Sequence, residues 1–325
     1  MFIYNKNLNK ISKPMLMSHR ITVFSLVFLS VFGLILTGCK KDDKIYKKVR
    51  LNIKETEENI FANNPQKNPL RLAVAPVIST TESFGVYNDM IEYIGRKLQR
   101  SAIFIQGSNY AEINNLVRYR HCDAAFVCDY AYIQGKKDFG MEILAVPEVN
   151  GKAMYQSYII VQSKSKIKNF WDLEGKSFAF ADPLSSTGFL YPRYLLKTKG
   201  KTPETFFSKT IFTYGHDNSI KAVSQGIVDG AAVDSLVFNF MVANKNTYKV
   251  NARIVNKSPY WPSPPVVINP AIEPKTRSML KSVLLSMHKD KEGKSILSRL
   301  MIDRFVIVKD KEYDSIRKMA MEIGY

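Results

Sequence analysis

The segment Asp182-Pro183-Leu184-Ser185-Ser186-Thr187-Gly188 has the residue types and spacing best suited to chemistry in this sequence of 325 residues. The apolar run Phe178 to Ala181 precedes it and a helical pattern follows. A strand therefore ends, the chain turns at Asp-Pro, and small hydroxyl residues open the next helix. The first turn of a helix offers free N–H groups and the positive end of the macrodipole. Ser and Thr add hydroxyl donors, and Gly allows an anion close to the backbone, so a tetrahedral oxyanion can be held without a Lys. By itself the turn reads equally well as a plain Ser N-cap.

Two more segments bear on that choice. Tyr214-Gly215-His216-Asp217-Asn218-Ser219 places His216 just before a helix that Asp217 or Ser219 could cap, and Ala231-Ala232-Val233-Asp234-Ser235 ends a short apolar strand on an acid. Singly, His216 reads as a packed or exposed histidine and Asp234 as a helix cap. In an open α/β sheet, however, ligands bind outside the carboxyl ends of strands. His216, Asp234 and the Ser185–Thr187 turn would all stand at such ends in one lobe.

Catalysis is the weaker reading of these residues. Ser, His and Asp are all present, but there is no Gly-x-Ser-x-Gly elbow and no phosphate loop ending in Gly-Lys-Ser/Thr. Only four His occur, without a metal-ligand cluster, so no cofactor or metal is expected. Cys122 and Cys128 flank a strand-like run that would hold them roughly 20 Å apart, too far for a disulfide. They read as small buried hydrophobes.

The elements that must position these residues alternate along the chain. Leu70 to Val77 reads as a buried strand, and Tyr87 to Gln99 as a helix with Met90, Ile91, Ile94 and Leu98 on one face. Ala102 to Ile105, Tyr110 to Tyr119 and Asp123 to Val127 continue as strand, helix and strand. Glu142 to Val146 and Tyr155 to Gln162 are extended, and a second α/β series starts at Ser177. In it, Thr187 to Lys197 reads as a helix that Pro192 should kink or shorten. Pro259, Pro262, Pro264 and Pro265 forbid a helix and mark a crossing between units, followed by a strand and three terminal helices. This predicts an α/β fold of two lobes, each a mixed sheet flanked by helices, with a hinge between them. Residues 70–160 with 262–325 form the first lobe and 161–261 the second.

The first 38 residues contain no acid, and Lys6, Lys10, Lys13 and Arg20 lead into an apolar run from Ile21 to Leu36. At about 24 Å as a helix this run is short for a permanent anchor and reads as an export signal over 1–38. It ends in Leu36-Thr37-Gly38-Cys39, which resembles the lipobox of bacterial lipoprotein precursors. The resemblance implies cleavage before Cys39 and a lipid on its sulfur. Met1, Met15 and Met17 are each possible starts. Lys40 to Pro69 is polar and reads as a flexible tether over 39–69. The net charge of +18 lacks the clustered stripe of a nucleic-acid reader. It fits proximity to anionic lipid and a preference for anionic solutes.

From Leu70 to the C-terminus the chain resembles the phosphate, phosphonate and phosphite solute-binding proteins of ABC importers, the PhnD-like group of type II periplasmic binding proteins. The pieces that carry the resemblance are the Asp182–Gly188 turn, Gly215-His216-Asp217, Ala231–Ser235, Asp123–Val127 leading to Tyr132, and Tyr155–Val161. The resemblance implies that Ser185, Ser186 and Thr187 grip the oxyanion, that His216 donates to it, and that Asp234 accepts a ligand hydrogen or an amine. Tyr132 and Tyr87 would close over the ligand from the other lobe. Cys128 to Tyr130 depart from the family, replacing its usual Gly-Pro pair, and Ser79 to Ser83 match loosely. The expected protein is a monomeric, non-enzymatic capture component of the cell envelope, lipid-anchored at Cys39 on the periplasmic or extracellular face, that serves an ABC permease. The alternative is a binding module feeding a sensor kinase or receptor.

Overall fold

A computed structural model describes residues 69–78, 80–244 and 246–324. The signal segment, Cys39 and most of the tether lie outside the described residues.

Two sheets organise the chain. The first has the order β13-β4-β12-β3-β1-β2. Its strands are β1 (Leu70–Val74), β2 (Ala102–Gln106), β3 (Ala124–Phe126), β4 (Glu142–Glu148), β12 (Val266–Ile268) and β13 (Arg304–Val306). β1 runs parallel to β2 and β3, whereas β12 enters antiparallel between β3 and β4. The second sheet has the order β10-β6-β9-β7-β8. It comprises β6 (Ser157–Gln162), β7 (Ser177–Phe180), β8 (Lys209–Phe212), β9 (Gly230–Asp234) and β10 (Ala252–Lys257). β7 is parallel to β8 and β9, and β6 is antiparallel to β9 and β10. β3, β9 and β12 are short and nearly all apolar, because central strands are covered on both faces.

The chain crosses between the sheets twice. At the crossings β5 (Met154–Tyr155) pairs antiparallel with β11 (Trp261–Pro262). β6 belongs wholly to the second sheet, so the expected lobe boundary at 160/161 falls inside a strand. The prolines near 259–265 do sit at a crossing.

Helices cover the sheet faces. α1 (Thr80–Lys97) and α2 (Tyr110–Arg118) follow β1 and β2, and α3 (Asp129–Phe139) follows β3. α3 was not evident from periodicity, because Asp129, Tyr130 and Tyr132 are all buried and mask an amphipathic pattern. In the second half come α4 (Tyr191–Lys197), α5 (Pro203–Phe206), α6 (His216–Ser224) and α7 (Ser235–Ala243). Three helices close the chain as expected: α8 (Pro274–Ser286), α9 (Lys291–Arg299) and α10 (Asp314–Glu322). Among the described residues no helix is long and apolar enough to cross a membrane. Cys122 and Cys128 are free and buried.

Candidate anion-binding site

The carboxyl ends of parallel strands from both sheets meet at one place. β7 ends at Phe180 and leads into Asp182 and the Ser185–Thr187 turn, while β9 ends on Asp234. From the first sheet, β1 leads to Val77 and β3 leads to Cys128 and Asp129. Three hydrogen bonds tie the halves together here. The His216 N–H donates to the Val77 carbonyl (2.9 Å), and the Tyr110 N–H donates to Asp182 Oδ2 (3.0 Å). The Ser186 hydroxyl donates to Asp129 Oδ1.

The turn is a wide helical loop. Residues Ser186–Leu190 wind with the Leu190 N–H bonded to the Ser185 carbonyl five residues back (2.9 Å). Pro192 explains the shape. It has no N–H to offer the Gly188 carbonyl, so that carbonyl instead accepts from Ala181 N–H (3.1 Å) and fastens the turn to the end of β7. The regular helix α4 begins only at Tyr191, so Pro192 falls in its first turn rather than kinking its interior. Ser185 is the N-cap, its Oγ accepting from Gly188 N–H at 2.9 Å. The cap leaves Ser185 beside a second predicted residue, since its Oγ also stands 3.5 Å from His216 Nε2.

His216 is the first residue of α6 rather than the residue before it, and neither Asp217 nor Ser219 caps that helix. Asp217 pairs with Lys221 at 2.9 Å, and Ser219 Oγ lies 2.7 Å from Thr213 Oγ1. The Asp234 N–H donates to His216 Nδ1 (3.2 Å). Nδ1 is therefore the unprotonated nitrogen, which leaves the hydrogen on Nε2 facing Ser185. Burial drives the imidazole pKa down to about 3, so the ring is a neutral donor at working pH.

Asp234 caps α7, Oδ1 accepting from Leu236 N–H at 2.6 Å and from Val237 N–H at 3.4 Å. Burial pushes its carboxyl up to about 7, against the pull of those two amides, and the nearby Asp129 adds to the rise. Tyr87 is only partly covered, yet burial and Asp234 raise its hydroxyl to about 12, so it stays a donor.

Sequence reasoning missed three neighbours, Asp129, Tyr110 and Tyr155. Asp129 is fully buried, and burial raises its carboxyl. Its Oδ1 accepts from Tyr130 N–H (2.8 Å) and from the Cys128 thiol (3.1 Å). Tyr110 feels Asp129, Asp182 and Asp234, and Tyr155 feels Asp129 and Asp234. Thr187 Oγ1, the Tyr110 hydroxyl and Asp129 Oδ2 are buried here without a hydrogen-bond partner. The strand-end rule that picked out Asp234 would also have found Asp129, just past the end of β3, had it been applied there. Tyr132 is placed differently from expectation. Its hydroxyl donates to Asp310, which also holds Arg317, so it ties α3 to the C-terminal segment.

The arrangement suits a tetrahedral oxyanion: hydroxyls on a helix first turn, a neutral imidazole N–H, tyrosine hydroxyls and a carboxyl able to carry a proton. Residues 72–313 match the family model described as "ABC transporter, phosphonate, periplasmic substrate-binding protein". The chain belongs to this family. Members of the phosphonate substrate-binding family are binding components of importers, so the role of this chain is capture rather than catalysis.

Curated relatives agree. The chain is 25% identical over 275 residues to the phosphate-import protein PhnD of Mycolicibacterium smegmatis, covering 78% of this chain and 86% of the relative. It is 26% identical over 238 residues to the phosphonates-binding periplasmic protein of Escherichia coli, covering 72% and 69%. Solved structures show the same type II periplasmic binding protein fold. One is the binding component of an ABC phosphonate transporter from Pseudomonas aeruginosa (TM-score 0.74, 20% identity, 78% of this chain and 86% of that one). Another is PhnD1 of Prochlorococcus marinus in complex with methylphosphonate (TM-score 0.70, 22% identity, 80% and 99%).

The buried histidine makes a stability prediction for this family member. An imidazole at about 3 in the fold and 6.5 in the unfolded chain stabilises fully above 6.5, and that contribution is lost as pH falls toward 3. Between pH 7 and pH 4 the loss is roughly 3 kcal/mol. Denaturant midpoints should fall accordingly for the wild type and much less for His216→Asn, whose Oδ1 can still accept from Asp234 N–H. Equal losses in both proteins would assign the acid sensitivity elsewhere.

Proposed function

We propose that the chain binds a phosphorus oxyanion (phosphate, phosphite or a phosphonate) between its two sheets, closing about the β5–β11 crossing, and delivers it to an ABC permease. The observation that carries this reading is the meeting of the three unpartnered buried groups, Thr187 Oγ1, Tyr110 hydroxyl and Asp129 Oδ2, beside the neutral donor His216. Within the two lobes, residues 69–155 with 264–324 form one and 157–257 the other. Closure brings Asp129 and Tyr110 of the first lobe against Ser186 and Asp182 of the second, and the ligand adds contacts that only the closed form makes. The lipid at Cys39, on its tether, keeps the trap at the membrane where the permease lies. The names of the curated relatives support both the ligand class and the importer.

A thermal-shift series tests this. A ligand at 100 times its dissociation constant should stabilise the fold by about 2.7 kcal/mol. Phosphate, phosphite or methylphosphonate should raise Tm near pH 7, and at pH 9 sulfate should raise it far less than phosphate does. A flat response to every phosphorus oxyanion would remove the ligand assignment while leaving the fold and family untouched.

A further inference from the structure

The end of the first sheet opposite the anion site carries a second cavity, of about 390 Å³. Arg71, Arg100 and Arg120 line it, together with Asp123 and Glu273. Both acids are engaged. Asp123 pairs with Arg71 (3.4 Å) and Arg100 (3.8 Å), and Glu273 Oε2 accepts from the Thr276 hydroxyl (3.1 Å). The positive excess grows at the turn after α2, where Arg118, Tyr119, Arg120 and His121 are all exposed. Asn269 Nδ2 fixes that turn by donating to the Val117 and Arg118 carbonyls (2.9 and 3.0 Å), and the Arg118 guanidinium lies over the Tyr119 ring. Ile103 stands in register beside Arg71 and is also exposed. The tether joins the fold at this same end: the Pro69 carbonyl accepts from Arg100 Nη2 (3.1 Å), and Leu70 N–H donates to the Ser101 carbonyl (2.7 Å). The anion site lies the other way, since β1 must run roughly 20 Å from Arg71 to reach Val77.

We propose that this face docks on an anionic phospholipid surface, with headgroup phosphates in the arginine-lined cavity and Tyr119 and Ile103 at headgroup level. The proposal rests on the membrane tethering proposed above and names the surface that meets the bilayer. Guanidinium forks match phosphate oxygens two at a time. Arginines beside an anionic leaflet gain from its surface potential, and tyrosine settles where one end of its ring is wet and the other apolar. A small soluble anion would use the cavity alone. A bilayer also engages the exposed tyrosine, isoleucine and Arg118 around it. Docking by this end leaves the anion site facing away from the lipid.

Hydrogen exchange on the full chain in lipid nanodiscs provides the test. Discs of phosphatidylcholine are compared with discs of phosphatidylcholine and phosphatidylglycerol in equal amounts. Arg118 and Arg120 contribute about fivefold each, so exchange over residues 118–122 should slow on the order of thirtyfold on the anionic discs. Salt at about 1 M, where the screening length is about 3 Å, should return it to the neutral-disc rate. The double variant Arg118→Gln, Arg120→Asn should do the same. Both sites are exposed, and Asn tolerates the left-handed backbone of Arg120 (φ 58°), so the variant should fold and keep its phosphate-induced Tm shift. Equal exchange on the two discs, or slowing that survives in the variant or in high salt, would overturn the docking while tethering stands. Slowing on neutral discs by soluble glycerophosphoglycerol, with none from the anionic lipid, would give the cavity to a free phosphodiester and also overturn it. A chain that leaves both kinds of disc on flotation would remove tethering and docking together.

Discussion

Sulfate should bind this protein progressively more weakly as pH rises above about 7, by close to tenfold per unit, while phosphate affinity stays nearly level. The cause is Asp234, whose carboxyl burial raises to about 7. Below that pH the group is protonated in the empty site and can donate to any oxyanion. Above it the group is a carboxylate facing an anion, which is tolerable only if one hydrogen lies between them. Monohydrogen phosphate brings that hydrogen throughout the neutral range. Sulfate does not, so a proton must be taken up from solution, at 1.36 kcal/mol per pH unit. Discrimination at pH 9 should therefore exceed that at pH 7 by about two orders of magnitude. Asp234→Asn should bind sulfate independently of pH. Asn is as good an N-cap as Asp, so α7 keeps its cap and lost selectivity cannot be charged to misfolding. Calorimetry from pH 6 to 9 on both proteins decides the matter. A parallel pH response of phosphate and sulfate in the wild type would take Asp234 out of the site.

Gly188→Ala should abolish anion binding outright. A Cβ at this position would stand 2.5 Å from Ala181 Cβ and 2.9 Å from His216 Cε1. Both neighbours are fixed: Ala181 by its hydrogen bond to the Gly188 carbonyl, and His216 by bonds to Val77 and Asp234. The turn must then move off β7 or the imidazole must leave its place, and either separates the hydroxyls from the Nε2–H donor. Overpacking of this kind costs about 1–3 kcal/mol, so the variant should still fold, with a lower Tm. Its expected signature is a measurable melting transition that no phosphorus oxyanion shifts. A variant that melts lower but keeps the wild-type ligand shift would show that the turn is not where the anion sits.

The sequence by itself determined the local grammar of this protein. Strand, Asp-Pro turn and hydroxyl-rich helix start are dictated by neighbouring residues, so the Ser185–Thr187 turn, the Asp234 strand end and the three terminal helices were legible without coordinates. The proline crossing was legible for the same reason, because Pro removes a donor and fixes φ wherever it occurs. What only the tertiary structure decided is everything that depends on residues distant in sequence. Ser185 caps its helix and faces a histidine 31 residues away. The tautomer and neutrality of His216 follow from a bond to Asp234 and from burial by both sheets, neither of which is encoded locally. Asp129 was missed because α3 is buried deeply enough to hide its helical period, and the partner of the Tyr132 hydroxyl, Asp310, lies 178 residues on. The Ser185–Thr187 turn was therefore legible in the sequence, whereas the residues packed around it were not. Desolvation, which sets the protonation of Asp234 and His216, is a property of the folded structure around them and not of any segment of the chain.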